Sequence, residues 1–217
     1  MGGMSVRDGS TPVLDVAPGL EVGDSVAQGH VPRVPLSGRR VRLRAVVASD
    51  YDFLFLLAAD ERTGPHWRYR GLPPRPEEFV RDLWQGVLVQ FLVERIDTKE
   101  RVGLVVAYEA NLRDAHCHLG ALFRADTRVW PLEAMLLFVN FLFEEFGFIK
   151  IYSDVIDYNL GAFRSVVGRW MEHEGVLRDH ERHGGRRWDL HILSLWRDRF
   201  ERDRECLLDR VTQQLPQ

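Results

Sequence analysis

One stretch, residues 131–146, limits what this chain can fold into more than any other. Pro131 stands where a helix can begin without its N–H and Gly147 where one ends. Between them Leu132, Ala134, Leu137, Phe138, Phe141 and their neighbours leave almost no polar face. A helix apolar nearly all round has to be enclosed by the rest of the fold. Its longest apolar run, 135–143, is interrupted by Asn140 and falls far short of the ~20 residues needed to cross a bilayer. No membrane span is expected, so the flanking sequence has to wrap the helix.

That flanking sequence reads as strands. Val41, Leu43 and Ala45 alternate with Arg40, Arg42 and Arg44, a half-buried strand that opens the domain at residue 39. Ser49 or Asp50 is expected to cap a helix running to Asp60, and Thr63-Gly64-Pro65 to end it. Pro76 opens a second helix with Phe79, Val80, Leu83 and Trp84 as its buried stripe, closed by Gly86. Residues 87–96 and 101–110 alternate as strands around a hairpin turn at Asp97-Thr98-Lys99-Glu100, and 115–123 adds a further strand.

After the central helix, 149–156 reads as a strand. A helix follows over 159–170, with Leu160, Phe163, Val166, Val167 and Trp170 on one face. Residues 176–182 and 188–195 form a last hairpin turning at Gly184-Gly185. Phe200, Leu207, Leu208, Val211 and Leu215 recur at helical spacing and predict a C-terminal amphipathic helix. The expected organisation is a tail or strap over 1–38, an α/β (α+β) domain over 39–200 and a helix over 201–217. No internal repeat is present.

Composition narrows the function. With 217 residues, 45% of them hydrophobic, one sizeable core is expected. A formal net charge of −3 gives no global attraction to nucleic acid or to an anionic membrane. Cys117 and Cys206 suggest neither a disulfide framework nor a zinc site, and a cytoplasmic setting fits them. His116 and His118 share one strand face, but no further metal ligands stand at recognisable spacing, so no metal is expected.

The element order, the run Asn159-Leu160-Gly161-Ala162-Phe163-Arg164-Ser165 and the segment Glu174-Gly175-Val176-Leu177-Arg178-Asp179 resemble the GNAT acyltransferases, in particular the RimJ/RimL-like branch. The resemblance implies a GNAT fold: a mixed, mostly antiparallel sheet of six to seven strands, splayed between the fourth and fifth, with about four flanking helices plus the C-terminal one. It implies transfer of an acyl group from acetyl-CoA or another acyl-CoA to an amine of a small molecule or peptide. Where the family carries a glycine-rich pyrophosphate loop, this chain reads Arg124-Ala125-Asp126-Thr127-Arg128-Val129-Trp130-Pro131, without a glycine. Arg124 and Arg128 can replace the missing backbone donors by side-chain contacts. Three readings follow: an acyl-CoA enzyme, a transferase using aminoacyl-tRNA or an acyl carrier protein, and a noncatalytic GNAT-like binding protein. A homodimer is compatible with each.

Roles are assigned through the resemblance. A backbone amide near Leu122 or Phe123 is the expected oxyanion donor. Asn159 contacts the pantetheine arm, and Ser165 is the hydroxyl nearest the leaving group, where the family often has a Tyr. Asp157 or Glu109 is the expected base, with Asp154 in the same neighbourhood and His118 as the alternative. Trp67, Tyr69 and Trp84 would line the acceptor pocket, and Arg186 the positive hairpin beside it. Cys117 points to the opposite strand face and has no readable base.

Overall fold

The computed structural model describes residues 32–126, 130–164 and 166–212. The alternating stretches form a seven-stranded sheet ordered β1-β2-β3-β4-β5-β7-β6. Its strands are β1 (Val41–Ala45), β2 (Val87–Arg95), β3 (Arg101–Asn111), β4 (His116–Phe123), β5 (Lys150–Ile156), β6 (Met171–His183) and β7 (Arg186–Trp196). Neighbours are antiparallel except β4 and β5, which run parallel and pair only where His116, Cys117 and His118 face Lys150, Ile151 and Tyr152. Beyond that point the sheet splits.

Among the described residues four α-helices cover the sheet: α1 (Tyr51–Ala59), α2 (Pro76–Trp84), α3 (Trp130–Phe146) and α4 (Arg197–Thr212). Period-two alternation explains how both faces are buried. Phe91 and Val93 of β2 point towards α3, where Phe91 meets Phe138 and Phe141 edge-on at 5.9 and 5.1 Å. Leu92, between them, points to the other face and packs with Leu54 and Leu57 of α1 and Phe79 and Leu83 of α2. The helix that the sequence required to be enclosed is enclosed: Leu137, Phe138, Leu142 and Phe143 are fully buried.

Both flanking segments join this core. Val34 and Leu36 pack against it, and Phe200 and Leu207 of α4 are buried in it. The carboxylate of Glu133, in the first turn of α3, is also buried and accepts hydrogen bonds from the N–H groups of Arg40 (2.8 Å) and Val41 (3.2 Å). The start of the domain is thereby fixed to the start of its central helix.

Three local expectations are corrected. Residues 159–170 do not form an α-helix: a 3₁₀ stretch, Asp157–Phe163, is followed by a turn, and β6 starts earlier than its hydrophobicity suggested. Gly168 has φ +80° and its N–H returns to the Met171 carbonyl, a conformation that ends helical progression. The apolar side chains still face the core. Second, Asp50 does not cap α1. Its carboxylate is buried, forks to Arg44 (2.7 and 2.9 Å) and Arg101 (3.0 Å), and accepts the Val47 N–H. Against the desolvation of burial, these donors hold its pKa below the ordinary carboxylate value. Third, Trp84 ends α2 pointing outward, with its indole N–H towards the Tyr51 hydroxyl (3.4 Å) rather than in the buried stripe.

Candidate active site

The split sheet exposes backbone in the molecule's interior. Alternate residues of a strand turn their N–H and C=O to opposite neighbours. The Arg124 N–H donates to Val102 (3.0 Å), so even-numbered residues of β4 face β3; Ala115 accepts from the Ile149 N–H (2.8 Å), so odd-numbered ones face β5. Pairing with β5 ends at His118. Ala121 and Phe123 therefore direct their amides into the gap that β5 has left. Leu122 pairs with Leu104 of β3 and its side chain joins the α1–α2 core, so its N–H faces β3, whereas that of Phe123 faces the gap. Gly103 lets the Phe123 ring cross β3 beside the gap.

At the apex of the split the same register assembles a titratable cluster. His118 faces Tyr152 across the last β4–β5 pair (ring centroids 5.3 Å) and Tyr108 of β3 on its other side (5.5 Å). Its Nδ1 lies 3.4 Å from Asp154 Oδ2, a charge contact poorly aimed for a hydrogen bond, and its Nε2 lies 3.9 Å from Glu109 Oε2. Asp154, and more weakly Glu109, raise the His118 pKa above the ordinary histidine value against the opposing effect of burial. Burial pushes the Tyr108 hydroxyl up to about 12. Glu109 is exposed at φ +47°, where β3 slips register between Tyr108 and Asn111. Cys117 is buried on the opposite face with its thiol raised to about 12, which suits packing and not nucleophilic chemistry.

Asp157 is not part of this cluster. Its Oδ1 lies 3.4 Å from His191 Nε2, and His191 Nδ1 is 2.8 Å from His173 Nε2. His191 pairs with Val155, so it leaves the sheet on the face opposite Asp154. Asn159 sits mid-way in the 3₁₀ stretch; Ile156, not Asn159, is the residue that precedes it. Arg128 and Ser165 lie outside the described residues.

The acceptor-side residues divide. Trp67 is 5% exposed and belongs to the α1–α2 core, with its ring beneath Gly120 of β4, where it supports the strand. Tyr69 packs on Phe79 (5.7 Å), and burial raises its pKa. Arg186 lies flat over Trp188 at 3.7 Å. Two fasteners tie the loop after α1 to the second half of the sheet. Arg70 forks onto Glu181 of β6 at 2.5 and 2.9 Å. The Tyr158 hydroxyl donates to the Pro65 carbonyl (2.8 Å), its ring set among His66, His183 and Trp188.

At the far end of β4 an open cleft of about 400 Å³ is lined by residues 121–125, Pro131 and, from the loop after α1, Arg62, Thr63 and His66. Arg124 is committed there: it forks onto Asp126 and contacts Glu100. Arg62, His66, Tyr108, Tyr152 and Tyr158 are not singled out by the sequence, because their convergence on this region is tertiary: Tyr108 and Tyr152 meet His118 through strand pairing, and Arg62, His66 and Tyr158 come from connecting segments. Only Tyr158, next to Asn159, carried a local signal. Among the described residues no group of His, Cys, Asp or Glu is arranged to hold a metal, and no helix is long and apolar enough to cross a membrane.

No protein-family model and no curated protein matches the sequence. Solved structures do match its shape. A GCN5-related N-acetyltransferase from Brucella melitensis superposes with a TM-score of 0.64 at 20% identity, covering 83% of this chain and 88% of that one. The spermidine N-acetyltransferase of Vibrio cholerae in complex with CoA and spermine gives 0.58 at 18% identity, over 74% and 98% of the two chains. A GNAT-family acetyltransferase from Bacillus anthracis gives 0.61 at 17% identity, over 76% and 99%. The fold of this chain is the GNAT fold.

Proposed function

We propose that this protein is an N-acyltransferase that moves an acyl group from a CoA thioester to the amine of a small molecule or peptide. The observation that carries the reading is the placement of the unpaired Ala121 and Phe123 amides in a gap whose apex holds His118, Asp154 and Glu109. Neutral His118 takes a proton as the amine attacks the thioester carbon, and the Ala121 N–H, the nearer of the two gap-facing amides to His118, stabilises the oxyanion, while the Phe123 N–H lies further along the donor's arm. Collapse expels the thiolate, and the proton held on His118 returns to sulfur, leaving an amide and a free thiol. The Asp154 charge favours the imidazolium formed in this step, and together with that of Glu109 it favours a cationic acceptor. Asn159, on the β5 side, is the residue we assign to the donor's arm. The Glu174-Gly175 to Arg178 segment supports a place in the RimJ/RimL-like branch.

The test is thiol release from acetyl-CoA and longer acyl-CoAs with a panel of mono- and polyamines and peptide N-termini. Turnover with at least one pair is expected, falling ~10²-fold or more in His118→Gln. Turnover only with an acyl carrier protein or an aminoacyl-tRNA would replace the donor. The absence of turnover with every donor would favour a binding protein, the reading supported by the glycine-free entrance to α3 and by Pro131, which offers no N–H.

A further inference from the structure

Resting on that reading, we infer that Arg62 anchors the phosphate end of a phosphopantetheine arm laid along β4. A thioester arm with its acyl group at the apex can run along β4 past the gap-facing Ala121 and Phe123, and the 400 Å³ cleft is lined by these same residues at the end of the strand. From Leu119 to Phe123 that track measures ~13 Å at ~3.3 Å per residue. The cleft needs a cation for a phosphate, and the cations near it are not equally available.

Arg124 is committed to Asp126 and Glu100. Pro131 has no N–H to give, and the Glu133 carboxylate brings a negative charge to the first turn of α3. Arg62 is different. It is exposed, lines both this cleft and the adjoining one of about 220 Å³, and its guanidinium makes no hydrogen bond or ion pair with the described residues. Two carboxylates stand near it, but both are already engaged. Asp60 accepts the N–H groups of Arg62 (2.8 Å) and Thr63 (3.0 Å), and Asp126 is forked by Arg124. The Asp60 turn fixes the Arg62 backbone at the rim, leaving its fork of donors to meet a phosphate in two-point geometry. His66 lines the same cleft one helical turn further along the chain. A chain that has lost the glycine loop thus has a side-chain substitute on a different element.

Phosphopantetheine is common to CoA and to holo-acyl carrier protein, so both are titrated calorimetrically against the full chain, along with phosphopantetheine and phosphate-free pantetheine. Proteins are wild type, Arg62→Ala, Arg62→Lys and, as an exposed neighbour, Glu61→Ala. The expected result is a Kd about 10- to 100-fold weaker for CoA and phosphopantetheine in Arg62→Ala, a smaller loss in Arg62→Lys, and no change for pantetheine or in Glu61→Ala. The same loss for holo-carrier protein but not CoA would support the anchor and name the other source. Tight CoA binding that ignores Arg62→Ala overturns the anchor while leaving the acyl-CoA reading intact. An equal loss for pantetheine overturns the phosphate assignment. A wild type that binds none of the four overturns both.

Discussion

A methyl group added at Gly103 tests whether the gap-facing strand is as tightly placed as the structure has it. A Cβ at this position in β3 would lie 2.5 Å from the Leu122 carbonyl oxygen and collide with the Phe123 ring. The ring can turn, but the carbonyl belongs to the β3–β4 ladder and moves only if the strands move. Overpacking of this kind costs about 1–3 kcal/mol. Replacing glycine by alanine recovers about 0.4–1 kcal/mol by restricting the unfolded chain. The net destabilisation of Gly103→Ala is therefore about 0–2.6 kcal/mol, centred near 1.3 kcal/mol. For a chain of this size each kcal/mol lowers Tm by about 2–4 °C, so a fall of about 3–5 °C, and at most about 10 °C, is expected by calorimetry or circular dichroism. Gly161→Ala is the control, because its Cβ would meet nothing within 4 Å, and its Tm should stay level or rise slightly. The displaced Phe123 amide should also raise KM for the donor. If Gly103→Ala melts at or above wild type alongside the control, the close packing of β3 on β4 is refuted.

Asp154→Asn removes the main cause of the raised His118 pKa, so the acidic limb of the kcat/KM profile should move to lower pH. The stability effect has a sign of its own. His118 binds its proton more tightly when folded, so the stabilisation by Asp154 is fully present below the unfolded value of about 6.5 and is lost as pH rises through the folded pKa. Denaturant titrations of wild type and variant should differ most at acid pH and converge above it; a constant offset would argue against the pair. Tyr158→Phe deletes the 2.8 Å bond to Pro65 and should cost about 0.5–1.5 kcal/mol, with a larger effect on KM for the amine than on KM for the donor. Equal shifts in both would place the fastener's influence elsewhere.

The elements that the sequence made legible are those whose pattern is local. The alternation on either side of Asp97–Glu100, and the all-round apolarity of 131–146, became β2, β3 and α3 within a residue or two. The stretch after β5 misled because Leu160, Phe163, Val166, Val167 and Trp170 satisfy a helical stripe and also a 3₁₀ stretch followed by a turn. A stripe does not encode which of the two the backbone takes, nor the turn at Gly168 (φ +80°) that leads the chain back into β6. Trp84 was read inward because its spacing suited the stripe of α2; one residue from the helix end, it was free to turn out. The candidate site was legible in part. His118 and Glu109 were named, but their meeting with Asp154 depends on a three-pair parallel contact between distant segments, which no local pattern reports. Trp67 was misread for the same reason: its burial is set by β4 passing over it.

An open sheet ordinarily has two edges, here β1 and β6. The split gives this one a third, inside the molecule, where Ala121 and Phe123 offer strand-like pairing with no strand to receive it. Outer edges invite other chains, and β6 is crowded with charged side chains, as exposed edges commonly are. The inner edge is half-buried and flanked: the wall beyond it is β5, and Tyr158 and Arg70 hold the loop after α1 to the far half of the sheet. What can pair there is something narrower than a polypeptide yet bearing amides of its own, as an extended pantetheine arm does. Such a donor would be a surrogate strand, and while it is bound the sheet would be continuous from β1 to β6.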